Sequence, residues 1–254
     1  MAVQSVDRAL SIIEVLGNHP NGLGVINLSK TLNLPKSTIH RLLNSLITRN
    51  FVYQNEENER YYLGMKLAQI SSKIIENLDI RVLARPYIED LSQITNEVVH
   101  LCIRDGNEVA YIDKVESNRT IRMYSQIGKR AMLHCTGVGK VLISGLPDHK
   151  IIDIVDQVGL PKFTENTITS KEAFIQEIQL IRQNGYALDQ EEHEDGIYCI
   201  AAPIYDYSGN IIAGFSLSGP INRIKSSIEN GHYKSYLLST AYQISERLGY
   251  IKES

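Results

Sequence analysis

The stretch that most constrains this chain is Pro35–Arg49, because it shows two different faces when it is read with the period of an α-helix. One face is apolar and consists of Ile39, Leu42, Leu43 and Leu46. Another carries only hydrogen-bonding side chains, namely Ser37, His40, Arg41 and Asn44. Such a helix can be buried on one side and enter a DNA major groove with the other, where Arg reads guanine and Asn reads adenine. Taken alone, it also fits an ordinary solvated helix.

The neighbouring segments favour the DNA-reading interpretation. A first helix precedes the turn His19–Gly22, and a short second helix covers Ile26–Leu32. Two aromatic-rich runs, Phe51–Gln54 and Tyr61–Gly64, flank a polar loop and predict a β-hairpin. The order helix, helix, turn, helix, hairpin is that of a winged helix-turn-helix, whose third helix enters the major groove.

The predicted DNA contacts lie on the third helix and, for one arginine, in the loop of the wing. They are Lys36, Ser37, Thr38, His40, Arg41, Asn44 and Arg60. We expect Lys36 and Thr38 to contact phosphates and Arg41 and Asn44 to contact bases. The hairpin tip carries Glu56, Glu57 and Glu59, which phosphates repel, so we expect this wing to add little affinity.

The charge distribution confines any DNA binding to this region. The formal net charge is −3, yet the segment from Lys30 to Arg49 has four basic residues and no acidic one. Three widely spaced cysteines predict free thiols in a reducing cytoplasm. No apolar run approaches the roughly 20 residues of a membrane span, and the first residues lack the pattern of a signal peptide.

A linker helix is predicted to follow the hairpin from Met65. Leu67, Ile70, Ile74 and Leu78 form a narrow apolar stripe that needs a partner. Dimerisation is the preferred interpretation, because helix-turn-helix proteins read two-fold operators as dimers; packing within its own domain is the alternative. The predicted boundaries are 1–64 for the DNA-binding domain, 65–80 for the linker and 81–254 for the second domain.

The second domain is predicted to be α+β, with helices packed on an antiparallel sheet. The strand candidates are 98–104, 108–115, 120–125, 186–192, 197–206 and 210–219. The helix candidates are 134–144, 150–158, 170–184 and the segment from Ile221 to Leu248.

The glycine-containing run Thr136–Lys140 is a candidate anion site. It fails as a phosphate-binding loop, because His134 occupies the first glycine position and Val141 the position of the magnesium ligand. Gly137 and Gly139 nevertheless allow backbone N–H groups at a helix start to approach a carboxylate or phosphate. Glycines that serve only close packing are the alternative.

Ionisable residues cluster between Asp189 and Cys199. With His134 and Cys135 they offer zinc-ligating side chains, although the spacing of Asp189, His193 and Cys199 repeats no known ligand pattern. The acidic run Glu191–Asp195 is most simply a solvated turn. A cysteine nucleophile at 135 or 199 requires a histidine nearby in space, and a buried structural cysteine is the commoner case.

Two serines alternate with apolar residues near the end of the predicted last strand. Ser216 and Ser218 share one face, opposite Phe215 and Leu217. Hydroxyls on an inward face must be satisfied, so they indicate a polar pocket; an exposed sheet face is the alternative.

Several motifs together resemble the IclR family of bacterial transcriptional regulators. They are SVDRALSIIEVL, NLPKSTIHRLLNSL, YYLGMKL, ALDQEEHEDGIYCIAAPI and FSLSGP. The resemblance implies a winged helix-turn-helix, a dimerising linker helix and a GAF-like effector-binding domain, in dimers or dimers of dimers that bind operator DNA. It also implies an effector pocket formed by Met123, Gly137, Val138, Asp189, Cys199, Ser216 and Ser218.

Within this family, the segments VVHL, IRMYSQIGKR, GVGKVLIS and TENTITS are most similar to the ketodeoxygluconate-responsive repressors. The similarity implies a cytoplasmic repressor that binds double-stranded operator DNA and a small sugar acid such as 2-keto-3-deoxygluconate. It implies no catalysis, no cofactor, no metal and no membrane partner. A metal-sensing regulator and a sugar-acid enzyme fused to a DNA-binding domain are the rival hypotheses.

Overall fold

The computed structural model describes residues 3–76, 79–119 and 126–252. The chain divides into two compact units, Met1–Leu78 and Asp79–Ser254. Each unit is built around its own buried apolar residues. Among the described residues, no helix is both long enough and apolar enough to cross a lipid bilayer.

The first unit has the predicted order of a winged helix-turn-helix. Its elements are α1 (Gln4–Gly17), α2 (Val25–Thr31), α3 (Lys36–Thr48), β1 (Val52–Gln54), β2 (Tyr61–Leu63) and α4 (Met65–Glu76). The strands β1 and β2 pair antiparallel. The apolar stripe of α3 is buried as predicted and packs against Ile12, Leu16 and Leu28 of the other helices. Pro35 precedes α3 at the N-cap position.

The helix α4 confirms that a helix follows the hairpin. On its predicted apolar stripe, Leu67 is half-buried and Ile70 is exposed. Leu78, the last residue of that stripe, lies outside the described residues. Whether the stripe forms a dimer contact stays a prediction.

The second unit is α+β, as predicted. Its elements are α5 (Ile80–Thr95), β3 (Val98–Asp105), β4 (Glu108–Val115), β5 (Arg130–Met132), α6 (Gly137–Ser144), α7 (Asp148–Val158), α8 (Lys171–Asn184), β6 (Ala187–Gln190), β7 (Ile197–Tyr205), β8 (Ile211–Pro220), α9 (Ile221–Glu229) and α10 (His232–Arg247). Within the described residues the strands form one sheet in the order β5-β4-β3-β8-β7-β6, and all neighbours are antiparallel. The predicted strand 120–125 lies outside the described residues.

Helices cover both faces of this sheet. The helices α5, α9 and α10 pack on one face, where Phe215 and Leu217 belong to the apolar core. The helices α6, α7 and α8 pack on the other. Ser216 and Ser218 alternate with those apolar residues and are buried on the α6 side. The sheet therefore places its polar side chains beneath the start of α6.

Candidate functional sites

The polar face of α3 is open to a ligand. Lys36, Ser37, His40, Arg41 and Asn44 are exposed, and Thr38 is half-buried. Within the described part of the chain, the side chains of Lys36, Arg41 and Asn44 make no hydrogen bond or ion pair. Their donors and acceptors are therefore available to a partner, as base and phosphate recognition requires.

The wing presents a different chemistry. Glu56, Glu57 and Glu59 are exposed at the hairpin tip. Arg60, the remaining predicted contact, donates from Nη1 to the carbonyl oxygen of Asn21 at 3.2 Å. This bond ties the wing to the turn between α1 and α2, and the other donors of the guanidinium remain for phosphate.

A row of polar side chains crosses the sheet under α6. The register pairs Asp189 of β6 with Cys199 of β7 and Cys199 with Ser218 of β8. Ser216 pairs with His100 of β3, and the two serine hydroxyl oxygens are 3.3 Å apart. Directly opposed residues on one sheet face lie close together, so four strands contribute to one site.

The start of α6 completes this site from above the sheet. Thr136 caps the helix, accepting from the N–H of Gly139 at 3.1 Å. The N–H groups of Gly137 and Val138 have no acceptor within the helix, which leaves two donors at its positive end. A Cβ atom on Gly139 would lie 2.5 Å from the Leu133 carbonyl oxygen, so Gly139 serves close packing, whereas Gly137 lines the cavity below.

The helix start and the sheet row enclose one cavity. Six of the seven predicted effector residues line it, namely Gly137, Val138, Asp189, Cys199, Ser216 and Ser218. The seventh, Met123, lies outside the described residues. The cavity volume is about 60 Å³, and since one water needs roughly 10–15 Å³ on this measure, there is room for a small carboxylate.

The cavity is also lined by side chains that were not predicted from the sequence. They include His100, Tyr111, Lys129 and His193. The rings of His100 and Tyr111 meet edge to face, with centroids 5.2 Å apart. A histidine inside the otherwise apolar run Val98–Cys102 was the available signal for an inward-facing polar group.

Burial shifts the pKa values of two ionisable groups in this cavity towards their neutral forms. It raises the pKa of Asp189 to about 7, although the N–H of Glu192 donates to its Oδ1 at 2.8 Å and opposes the shift. It lowers the pKa of His100 to about 3, and nearby Lys114 adds to this effect. A protonated Asp189 donates a hydrogen bond, while an ionised one accepts from a ligand hydroxyl.

The prediction that Glu191–Asp195 is a solvated turn is wrong at its second residue. Glu192 is buried, and its Oε1 accepts from Nζ of Lys140 at 2.6 Å. The same ammonium donates to Oε1 of Glu177 at 2.9 Å. Burial lowers the pKa of Lys140, but the two carboxylates outweigh burial and raise it overall. An acidic run looks solvated in sequence because its buried cationic partner is distant along the chain.

The cysteines show no sign of activation. Sγ of Cys135 lies 3.4 Å from Nδ1 of His193, so a thiol and an imidazole do meet. Burial raises the pKa of Cys135 to about 12 and lowers that of His193. Both groups are therefore neutral near pH 7, and a thiolate nucleophile is not favoured.

Another metal-ligand candidate, His134, contacts the backbone. His134 bonds through Nε2 to the carbonyl oxygen of Pro161, at 3.0 Å. Among the described residues, no group of three or more His, Cys, Asp or Glu side chains is arranged to hold a metal ion.

Comparison with known proteins identifies the family. Residues 5–56 match the IclR helix-turn-helix domain, and residues 72–246 match the C-terminal domain of bacterial transcriptional regulators of the IclR type. This chain belongs to the IclR family. As an IclR-family transcriptional regulator it has DNA as a partner, and the helix-turn-helix unit supplies the DNA-binding domain.

Its relatives include two curated regulators and a solved structure. The transcriptional regulator XynR of Escherichia coli is 36% identical over 248 residues, which cover 98% of each chain. The regulator KdgR of Dickeya chrysanthemi is 37% identical over 250 residues, covering 98% of this chain and 81% of KdgR. The crystal structure of Thermotoga maritima IclR is 33% identical, covers 97% of this chain and 99% of its own, and has a TM-score of 0.64. The predicted resemblance to the family and to KdgR is confirmed, and XynR is similar to a comparable degree.

Proposed function

We propose that this regulator is a repressor that binds operator DNA as a homodimer or a dimer of dimers and releases it when a small sugar acid enters the α6 cavity. The polar face of α3 is the observation that supports DNA binding. It is exposed, and at Lys36, Arg41 and Asn44 the side chains make no bond to any other described residue. It presents one guanine-reading and one adenine-reading side chain next to phosphate-binding groups. A regulator of this kind works in the cytoplasm, where the chromosome is.

The substitution Arg41→Ala tests the groove assignment. We expect it to weaken operator binding by roughly 1–3 kcal/mol and to relax specificity at one base pair. Lys150→Ala is the matched control, because it removes the same charge from an exposed position in the second unit. Electrophoretic mobility shifts at fixed salt measure both. An Arg41→Ala protein that binds its operator as tightly as the control contradicts the assignment.

The cavity supports an organic acid as the effector. The N–H groups at the start of α6 and the hydroxyls of Ser216 and Ser218 are suited to donate to a carboxylate or ketone, and Asp189 is suited to a ligand hydroxyl. The similarity of four segments to the ketodeoxygluconate-responsive repressors favours 2-keto-3-deoxygluconate. A six-carbon acid requires the cavity to widen beyond its volume of about 60 Å³, and such a change of shape is what a switch needs.

Calorimetric titration with 2-keto-3-deoxygluconate tests the effector. We expect binding that Ser216→Ala and Ser218→Ala weaken, and release of an operator fragment by the same compound. Absence of heat at millimolar ligand removes this compound as the effector. Recovery of the ligand unchanged after incubation separates a sensor from an enzyme, and elemental analysis of the purified protein tests the metal-sensor alternative.

The dimer is proposed from the apolar side chains that the first unit leaves exposed. Met65 and Ile70 are exposed on α4, and Val6 and Leu10 are exposed on α1. Val6 and Leu10 are one helical turn apart, and neighbouring exposed apolar side chains are typical of an interaction surface. Two DNA-binding units joined in this way match a two-fold operator.

A further inference from the structure

Lys140 is a buried cation that does not line the effector cavity. Its side chain is completely buried, and Nζ lies 2.6 Å from Glu192 and 2.9 Å from Glu177. Lysine is almost never fully buried unless it is paired. A buried ion pair contributes little net stability compared with apolar packing, so stability alone does not account for this one.

The two carboxylates connect Lys140 to different parts of the second unit. Lys140 lies three residues after Gly137, in the helix whose start forms one cavity wall. Glu192 belongs to the loop between β6 and β7, whose next residues, His193 and Glu194, form another wall. Glu177 is a residue of α8 and does not line the cavity. Of the two bonds that Lys140 makes, the one to Glu192 therefore joins two walls of the cavity, and the one to Glu177 does not.

The loop that Lys140 holds also orients Asp189. The N–H of Glu192 donates to Oδ1 of Asp189 at 2.8 Å. Thr167 supports the same loop from the other side, since its hydroxyl donates to the carbonyl oxygen of Glu192 at 2.6 Å. One Glu192 carboxylate oxygen, Oε2, is buried with no hydrogen-bond partner among the described residues, so the side chain depends on Lys140 for its compensation.

We propose that Lys140 is a positioning residue of the effector site: by binding Glu192 it fixes the loop 191–194 against the start of α6 and holds Asp189 in its ligand-binding orientation. Lys140 acts without touching the ligand. Preorganised binding groups lose less freedom when a ligand arrives, which increases affinity. The inference rests on the proposed effector function of the cavity.

The substitutions Glu192→Gln and Glu177→Gln form a matched test. Each removes one negative charge at nearly constant volume and leaves Lys140 paired with one carboxylate. We expect Glu192→Gln to speed backbone hydrogen exchange in the segment 189–195 and to weaken 2-keto-3-deoxygluconate binding by about tenfold, the loss of one charge-assisted bond. We expect Glu177→Gln to leave both properties within about twofold of the unmodified protein.

Two further variants separate positioning from a merely structural role. Lys140→Met should reproduce the faster exchange of Glu192→Gln, and Lys140→Arg, which keeps the charge, should restore slow exchange. If Lys140→Met does not fold, the two glutamine variants decide the question alone. Their melting temperatures are measured beside the exchange, so that a global loss of stability is recognised.

The two proposals fail in different ways. If the unmodified protein gives no heat with 2-keto-3-deoxygluconate, the proposed effector is wrong, and hydrogen exchange in the ligand-free protein still decides the role of Lys140. Equal exchange of segment 189–195 in the two glutamine variants overturns the positioning role. Equal loss of affinity in both variants overturns it as well.

Discussion

Asp189 is a residue through which pH should act on the stability of the second unit. Burial raises the pKa of its carboxyl group from about 3.8 to about 7. The folded state therefore binds more protons than the unfolded state between these two values, and stability falls as pH rises through that window. The contribution is fully present below the unfolded pKa and is lost as pH passes the folded pKa.

The substitution Asp189→Asn should abolish this dependence. Between pH 5 and pH 8, the unmodified protein should lose roughly 2–3 kcal/mol relative to the Asn variant. Asparagine keeps an oxygen that accepts from the Glu192 N–H, so the local structure should persist. The difference in the free energy of unfolding is measured with urea at each pH.

Asp206→Asn is the control for this experiment. Despite partial burial, hydrogen bonds from Ser208 and Asn210 lower the pKa of Asp206. The group is thus ionised in both states above pH 5, and the substitution should leave the slope from pH 5 to pH 8 unchanged. A parallel pH profile for Asp189→Asn and the unmodified protein would show that Asp189 is ionised in the cavity.

The residue scale also shows what a sequence can reveal. The alternation of polar and apolar residues was enough to predict that Ser216 and Ser218 share one face of the strand. In the structure both are buried and line the cavity. The burial of Lys140 was not predictable, because its partners Glu177 and Glu192 lie 37 and 52 residues away. No local pattern distinguishes a lysine paired across such distances from a solvated one.

At the scale of elements, the junction between the hairpin and α4 depends on one glycine. A Cβ atom on Gly64 would overlap the carbonyl oxygen of Asn50 and lie 2.9 Å from its carbonyl carbon. The N–H of Gly64 also donates to the Phe51 carbonyl oxygen at 2.8 Å. Both clashing atoms are backbone, which has little freedom to move.

The substitution Gly64→Ala should therefore destabilise the first unit by roughly 1–3 kcal/mol, the usual cost of overpacking. Gly24→Ala is the matched control, because a Cβ atom there meets nothing within 4 Å, and it should cost less than about 1 kcal/mol. Hydrogen exchange of α3 peptides in increasing urea reports on this unit specifically. Similar costs for the two alanine variants would indicate that the hairpin adjusts freely.

Long, periodic elements were predictable, whereas the short strand β5 was not. The stripe in α3 and the alternation in β8 repeat over many residues, and both elements were found where the sequence placed them. The strand β5 is only three residues long and has no periodicity to detect. It exists because Ala131 pairs with Val109 across the sheet, and such a long-range contact leaves no local pattern.

At the scale of the whole molecule, the proposed dimer predicts that a charge introduced on the apolar stripe of α4 weakens dimer formation. Ile70 is 40% exposed on the apolar stripe of this helix. Ile70→Glu would bury a carboxylate in the proposed interface, so we expect the dimer dissociation constant to rise at least about tenfold. Gln69→Glu is the control, since it adds the same charge at the preceding position, which is exposed and off the stripe.

Operator binding should change together with assembly. A dimer engages two half-sites and releases counterions from the phosphates of both, whereas a separated chain engages one. The slope of log K against log salt for Ile70→Glu should therefore be about half that of Gln69→Glu. Sedimentation velocity over a range of concentrations, with operator titrations at several salt concentrations, measures both quantities. If Ile70→Glu stays dimeric and keeps the same slope of log K against log salt as Gln69→Glu, the two DNA-binding units are joined through a surface other than the α4 stripe.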